Sequence, residues 1–219
     1  PNELEIASIA PRHNPRDAFI SNKHRHLSEM PDGANIGSSS MRRLRQIGLQ
    51  YPMLTFSDIR GNIETRLKKL DSGKHDGIVL AVAGIERLGL SSRICEVIDE
   101  NMCVPATGQG AIGIEIRKDS DQIKELVVSI NDKDTFACVS AERRVALELD
   151  ASCDLPIGIF ASVFGNKFSL QVFISDSHGK KIIRESISGS YKNISQITKQ
   201  LLTTLRDKGS EEIVIQKSG

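Results

Sequence analysis

The stretch that decides the fold is ANIGSSSMRRLRQIGLQYPMLTFSDIRGNIETR, residues 34–66, together with the apolar segment GIVLAV at 77–82. Short apolar segments alternate here with segments of helical pattern. We expect strand 34–37 to precede helix 40–49, strand 53–58 to precede helix 62–71, and strand 77–82 to precede a helical turn at 84–88. Apolar runs of this kind are typical of a parallel sheet that is covered on both faces. The pattern therefore predicts an α/β domain.

Basic side chains gather in the same stretch. Residues 38–93 hold ten Lys and Arg and five Asp and Glu, a net charge of +5, whereas the whole chain has a net charge of +1. Ser38, Ser39 and Ser40 come directly before the first helix, where serines can cap a helix and its N–H groups attract anions. Helix starts that follow parallel strands lie at the edge where open α/β sheets bind ligands. We therefore expect a site for a substrate with several carboxylates or phosphates.

Two observations weaken this interpretation. Arginines on helices are commonly solvated rather than bound to a ligand. The neighbours Arg42 and Arg43 also point to different faces of a regular helix, so we expect only part of the cluster to meet one ligand.

The rest of the chain predicts two further groups of elements. A strand at Leu4–Ala10 precedes a polar turn that runs from Arg12 to Asp17, and the segment AIGIEIR (111–117) predicts a second strand. Helices are expected at 119–130 and 134–149. In the second helix, Glu142, Arg143 and Arg144 are placed toward solvent by the spacing of the apolar residues.

The C-terminal part has the pattern of a small α+β domain. Strands are predicted at 158–164, 168–175 and 181–188, the last two joined by a hairpin at 176–179. A helix at 193–207 and a final strand at 211–215 complete the prediction.

Composition limits the function classes. The chain has 219 residues, 39% of them hydrophobic and 26% charged, which is ordinary for a soluble globular protein. No apolar run is long enough to span a membrane, and the start PNELEIASIA lacks the pattern of a signal peptide, so a cytoplasmic location is expected. A near-neutral net charge and an aromatic content of 4% argue against nucleic-acid binding.

The cysteines and histidines predict neither disulfides nor a metal site. Cys95, Cys103, Cys138 and Cys153 form no C-x-x-C pair. His24 and His26 lie in a segment that has the composition of an exposed loop. Cys153 follows the predicted helix 134–149 in a loop of small residues. From the pattern alone it is either an inert buried cysteine or an accessible nucleophile.

Longer motifs identify a family. The segments NPRDAF, IGSSSMRRLRQI, IRGNIETRLKKLDSGKHDGIVLAVAGIERLGL, PATGQGAIGIE and ASCDLPIG resemble porphobilinogen deaminase, also called hydroxymethylbilane synthase; they span 14–19, 36–47, 59–90, 105–115 and 151–158. The motifs occur in the family's order along nearly the whole chain.

The resemblance implies a fold and a domain division. The family's first two domains are similar to the halves of periplasmic anion-binding proteins. We thus expect an α/β fold with a periplasmic-binding-protein-like parallel or mixed sheet, and a small C-terminal α+β domain with a three-stranded sheet. Residues 1–12 and 109–129 would be a remnant of domain 1, residues 13–108 domain 2, and residues 130–219 domain 3.

The resemblance also implies a reaction. The family condenses four porphobilinogen units into the linear tetrapyrrole hydroxymethylbilane, the precursor of haem and chlorophyll, with release of ammonia. Chain growth starts on a dipyrromethane cofactor held by a thioether, which by resemblance falls on Cys153. The family's arginines that hold the carboxylates of cofactor and growing chain correspond to Arg42, Arg43, Arg60, Arg66 and Arg87. Ser40 would add a hydrogen-bond donor, Gln109 and Gly110 match a hinge segment, and Arg45 has no matching role.

One departure from the family concerns the catalytic aspartate, which lies in a segment before the strand that Leu4 begins. Neither Asp17 nor Asp58 is the matching position. We therefore expect this chain to be inactive alone and to need a complementing N-terminal segment. The other implied partners are porphobilinogen and the growing pyrrole chain, with no nucleic acid, no membrane and no second subunit.

Two other functions remain open. A non-catalytic polyanion-binding module of periplasmic-binding-protein fold would explain the arginines without an aspartate. Nucleic-acid binding through the basic face would predict a steep dependence of affinity on salt.

Overall fold

The architecture comes from a computed structural model, which describes residues 3–150 and 155–215. The strands are β1 (Leu4–Ile9), β2 (Asp17–Ile20), β3 (Asn35–Gly37), β4 (Thr55–Ser57), β5 (Gly77–Ala81), β6 (Glu96–Val97), β7 (Gly113–Arg117), β8 (Ile157–Phe164), β9 (Lys167–Ser175) and β10 (Ile182–Ser190). The α-helices are α1 (Met41–Gln50), α2 (Ile63–Asp71), α3 (Val82–Arg87), α4 (Asp121–Val128), α5 (Lys133–Glu148), α6 (Ile194–Asp207) and α7 (Ser210–Ile215).

The largest sheet has five strands in the order β4-β3-β5-β2-β6. Strands β4, β3 and β5 are parallel, as the alternation of strands and helices predicted. Strand β2 is antiparallel to both β5 and β6, so the sheet is mixed. The sequence analysis did not predict β2, because its four residues are all buried and show no alternation. The α/β fold class is confirmed.

One edge of this sheet is of the kind at which open α/β sheets bind ligands, and we call it the ligand-facing edge. Strands β3, β4 and β5 end at Gly37, Ser57 and Ala81, and α1, α2 and α3 begin after them. Because the strands are parallel, all three helix starts lie at one edge of the sheet. Asp17, the first residue of β2, pairs with Ala81 and so lies at the same edge.

A small antiparallel sheet of β1 and β7 lies beside α4. The apolar side chains Ile123, Leu126 and Val128 of α4 are exposed. Nothing in the described part of the chain covers them.

The C-terminal unit is a three-stranded antiparallel sheet in the order β10-β9-β8, packed against α5 and α6. Its core combines Phe168, Leu170 and Val172 of β9 with Val145 of α5 and Leu205 of α6. The predicted three strands and hairpin are confirmed.

The prediction of a final strand at 211–215 was wrong, because α7 occupies this segment. Gly209 has a φ of +80° and ends α6, and Glu211 and Glu212 stand in the first turn of α7, where they interact favourably with the helix dipole. Ile213 then packs into the C-terminal core. Among the described residues no helix is both long and apolar enough to cross a bilayer.

Candidate functional site

The carboxylate of Asp17 lies at the ligand-facing edge and is fully buried. Arg42 donates to it through Nη1 at 2.8 Å from Oδ2 and through Nη2 at 3.2 Å from Oδ1. Arg43 donates through Nε at 2.9 Å from Oδ1. Two guanidinium groups from the first turn of α1 thus meet one carboxylate from the start of β2.

This convergence differs from the sequence-based expectation that Arg42 and Arg43 point apart. The first turn of α1 and the start of β2 lie at the same edge of the sheet, and arginine side chains are long enough to reach one carboxylate from adjacent positions. Backbone carbonyls accept further hydrogen bonds from the two guanidinium groups, at Val104 from Arg42 and at Val79 from Arg43. Both arginines are buried, at 4% and 9% exposure.

The electrostatics of this cluster leave one positive charge unbalanced. Burial by itself would raise the pKa of Asp17, but the guanidinium groups of Arg43 and Arg42 lower that pKa to about 2, so the carboxylate is ionised at neutral pH. Burial raises the pKa of the neighbouring Cys103 thiol to about 12, so Cys103 stays neutral and its Sγ lies 3.3 Å from Asp17 Oδ2. Two arginines and one aspartate give a net charge of +1, which suits an anionic ligand.

The G-Q-G segment joins the same cluster through Gln109. Its Nε2 donates to Asp17 Oδ1 at 2.9 Å and to the Pro15 carbonyl at 2.5 Å, and its Oε1 accepts from Arg42 at 3.2 Å. Gly110 has a φ of +81°, and a Cβ there would lie 2.7 Å from the His13 carbonyl oxygen. Only glycine can bring the loop this close to the 12–17 segment without strain.

A second buried ion pair lies where the chain meets the C-terminal unit. Arg12 donates to Glu142 through Nη1 at 2.6 Å, and the side chain of Glu142 has no exposure. The backbone N–H groups of Gly108 and Ala161 donate to the same carboxylate at 2.7 and 2.8 Å. The pKa of Glu142 is raised by burial, against the opposing effect of Arg12. Glu142 therefore ties α5 and β8 to the G-Q-G segment.

The placement of Glu142 toward solvent was wrong, whereas Arg143 and Arg144 are exposed as predicted. Glu142 is four residues after the buried Cys138 and three before the buried Val145, so it lies on their helix face. That spacing was the signal that could have revealed it.

The other arginines of the predicted site have open surroundings. The side chain of Arg60, 86% exposed, donates to Asp58 at 2.7 Å. Arg66 donates through Nε to the Gly61 carbonyl at 2.7 Å, and Arg87 is exposed at the last residue of α3. Arg60 and Arg87 are thus exposed, whereas Arg66 is half-buried.

Ser40 occupies the N-cap position of α1, but its hydroxyl makes no capping hydrogen bond. Its backbone N–H donates to Ser38 Oγ at 3.2 Å. The N–H groups of the first turn have no partner within an α-helix by its geometry, so they are available to an anion beside the arginine pair.

The predicted attachment residue Cys153 lies outside the described residues. The elements on either side of it are described: α5 ends at Glu148 and β8 begins at Ile157. In β8, Ile159 donates its N–H to the Pro105 carbonyl at 2.9 Å, and a Cβ at Gly158 would lie 2.5 Å from the Val104 carbonyl oxygen. The start of β8 therefore packs against Val104, and the carbonyl of Val104 also accepts a hydrogen bond from Arg42.

The arrangement suits polycarboxylate binding. Arginine forks match carboxylates through paired hydrogen bonds, and the edge combines a buried pair, exposed arginines and a helix start. Within the described ranges, no group of three or more His, Cys, Asp or Glu side chains could hold a metal ion.

Comparison with protein families gives two matches that together cover most of the chain. Residues 1–125 match the family model described as "Porphobilinogen deaminase, dipyromethane cofactor binding domain", and residues 136–207 match the porphobilinogen deaminase C-terminal domain. The cofactor of the matched domain is therefore dipyrromethane.

Curated relatives of the chain carry the same family name as the matched models. The porphobilinogen deaminase of Chromobacterium violaceum is 40% identical over 98% of this chain and 69% of the relative, and that of Methylobacillus flagellatus is 39% identical over the same shares. The chain thus spans about two thirds of the length of these relatives.

Two solved structures resemble part of the chain. A putative methionine-binding lipoprotein from Bacillus subtilis has a TM-score of 0.41 and 16% identity, covering 68% of this chain and 67% of that one. The methionine-binding protein MetQ has a TM-score of 0.40 and 14% identity, covering 61% of this chain and 63% of that one. The fold class of the chain follows from its own sheets. On the family models and the curated relatives, the chain belongs to the porphobilinogen deaminase family.

Proposed function

We propose that this chain serves the reaction of its family, the condensation of four porphobilinogen units into hydroxymethylbilane with release of ammonia. The observation that carries the proposal is the Asp17–Arg42–Arg43 cluster, with its unbalanced positive charge, at the ligand-facing edge of the sheet. Porphobilinogen carries an acetate and a propionate, so the growing product accumulates carboxylates that such an edge would bind.

The residues present fit a dipyrromethane cofactor. Its carboxylates need several charged donors on one surface, and the described edge offers them. We assign this binding to a set whose members share a position at or near that edge: Ser40, Arg42, Arg43, Arg60, Arg66, Arg87, Gln109 and Gly110. When bound, dipyrromethane supplies the free pyrrole carbon to which units are added. We assign its attachment to the Sγ atom of Cys153.

The buried and the exposed arginines have separate parts in this proposal. Asp17 fixes the orientation of Arg42 and Arg43, and their unbalanced charge attracts a carboxylate to the start of α1. Arg60 and Arg87, which are exposed, and Arg66, which is half-buried, hold further carboxylates as the chain grows. Gln109 keeps the G-Q-G segment against the pair.

We further propose the domain division expected from the sequence. Residues 1–12 and 109–129 contribute to one unit, 13–108 form the anion-binding α/β unit, and 130–219 form the cofactor-carrying unit. The separate sheets β1-β7, β4-β3-β5-β2-β6 and β10-β9-β8 support this division.

A non-catalytic polyanion-binding function is the second candidate, and one observation favours it. Asp17 is the carboxylate nearest to the arginine pair among the described residues, and its low pKa and ion pairs make it a poor proton carrier. Turnover would then depend on a carboxylate outside the described site, as the family resemblance implies.

The intact mass of the purified chain separates the two candidates. We expect a mass raised by two pyrrole units in the native chain and in a Cys95→Ala control, and the unmodified mass in Cys153→Ala. An unmodified mass in all three proteins would contradict covalent cofactor attachment. Hydroxymethylbilane formation from porphobilinogen, measured on the same sample, then tests turnover, and formation of the product would exclude the non-catalytic binding module.

A further inference from the structure

Arg184 of β10 reaches from the C-terminal sheet to the α/β unit. Its Nη2 donates to Gln46 Oε1 at 3.0 Å and to the Met102 carbonyl at 3.1 Å, and its Nη1 donates to the Asn101 carbonyl. The guanidinium also lies over the Phe173 ring, 5.4 Å from its centroid. One side chain therefore joins two strands of the C-terminal sheet to α1 and to the segment after β6.

Gln46 passes this contact toward the arginine cluster. It is one helical turn after Arg42 on α1 and is almost fully buried. Its side chain pairs with the backbone of Val104, accepting from the N–H at 2.8 Å and donating to the carbonyl at 3.2 Å. The same carbonyl accepts from Arg42 Nη1 at 2.8 Å. Arg184, Gln46, Val104 and Arg42 thus form a continuous hydrogen-bonded chain.

Arg45 makes a second contact between the same two units. Its Nη2 donates to the Ser177 carbonyl in the turn between β9 and β10, and its Cδ lies 3.4 Å from the position of a Cβ on Gly179. The hairpin that carries Arg184 is therefore attached to α1 at two places.

We infer that Arg184 is a positioning residue that acts through Gln46 and Val104 on Arg42, with Arg45 as a second attachment. The two contacts, which we call the hairpin latch, fix the distance between the cofactor-carrying unit and the guanidinium pair. This inference rests on the proposed function, because it assigns the latch to carboxylate binding by Arg42. The family resemblance assigned no role to Arg45.

Hydrogen exchange tests the latch without requiring activity. Arg184→Met keeps a long apolar side chain over Phe173 but removes every donor. We expect exchange at the Val104 amide, which reports the bond to Gln46, to become about tenfold faster, since a weakened hydrogen bond lowers the local opening free energy. Arg45→Met is expected to give a smaller increase, about threefold, because it leaves Gln46 in place.

The matched control is Lys208→Gln, which removes the ion pair between Lys208 and Glu185, the neighbour of Arg184 on β10. It should leave exchange at Val104 unchanged. Unchanged exchange in Arg184→Met, or equal acceleration in Lys208→Gln, would overturn the latch whatever the activity of the chain.

Kinetics then separate positioning from mere structural support. In protein that converts porphobilinogen, Arg184→Met should raise KM about fivefold with kcat within about twofold, since Arg42 would bind ground state and transition state alike. Arg184→Lys, which keeps the charge, should restore part of the KM. A lowered kcat at unchanged KM would refute positioning through Arg42, and absence of turnover in the native protein would count against the proposed function alone.

Discussion

The arginines of the predicted site fall into two groups that differ in environment. Arg42 and Arg43 are buried and share the carboxylate of Asp17. Arg60 is 86% exposed and contacts Asp58 two residues away, and Arg87 is exposed on α3. When a buried ion pair loses one partner, the remaining charge has neither a counter-charge nor water around it. When an exposed ion pair loses one partner, water solvates the remaining charge. We therefore expect the first group to control stability as well as binding and the second to control binding alone.

The largest effect is expected from Asp17→Asn. It leaves two buried guanidinium groups without their counter-charge, so the free energy of unfolding should fall by about 4 kcal/mol. Asp58→Asn is the matched control and should change it by less than about 0.5 kcal/mol, because that ion pair is solvated. Urea unfolding of both variants measures the difference, and similar losses would contradict the division into two groups.

A somewhat smaller loss is expected from Glu142→Gln. Arg12 would keep a hydrogen-bond acceptor but lose its buried counter-charge, so we expect a loss of about 3 kcal/mol. The control is Glu148→Gln. Glu148 lies on α5 like Glu142, but its ion pair with Arg206 is exposed, so this substitution should leave the free energy of unfolding nearly unchanged. Equal effects in the two variants would show that burial of Glu142 does not matter for stability.

The dependence of stability on pH gives the next effect. The pKa of Asp17 is about 2 in the folded chain, against 3.8 for an unperturbed aspartate. The lowered pKa stabilises the folded chain at pH values above 3.8. As the pH falls toward 2 this contribution disappears, and the free energy of unfolding decreases by about 2 kcal/mol. Between pH 5 and pH 2, the free energy of unfolding should fall less steeply in Asp17→Asn than in the native chain. The raised pKa of Glu142 acts in the opposite direction but is present in both proteins, so parallel curves would contradict an ionised Asp17.

The smallest effect on stability, within about 0.5 kcal/mol, is expected from Arg60→Gln, since its ion pair is exposed. Its effect should appear in binding instead. We expect the affinity for porphobilinogen to fall about fivefold, and less at high salt, because exposed charges are screened. Calorimetric titration at two salt concentrations measures this, with Arg25→Gln as the control for an arginine outside the proposed site. Unchanged affinity in Arg60→Gln would remove Arg60 from the carboxylate site.

Local periodicity predicted most of the fold. The alternation of apolar strands and helices between residues 34 and 82 gave β3, β4 and β5 with α1 and α2, because each element is defined by its own short pattern. It missed β2, which has no alternating pattern since both of its faces are buried. It also misplaced α7, where a short apolar segment after a glycine is compatible with either a strand or a helix.

The ionic pairs of the site could not be predicted in the same way. Glu142 and its partner Arg12 are 130 residues apart, and Asp17 and Arg42 are 25 apart, so no local pattern links them. The sequence identified the arginines but not the carboxylate that orients two of them. Whether a charged side chain is paired or solvated depends on tertiary contacts, so the sequence analysis could not distinguish the buried arginines from the exposed ones.

A pair of double-mutant cycles tests the division into buried and exposed arginines most directly. The unfolding free energies of Asp17→Asn, Arg42→Gln and the double variant give the coupling of the buried pair, and the same set at Asp58 and Arg60 gives that of the exposed pair. We expect a coupling of at least about 2 kcal/mol for the buried pair and less than about 0.5 kcal/mol for the exposed pair. Equal couplings at the two sites would contradict a structural role for Asp17 in holding the arginine pair.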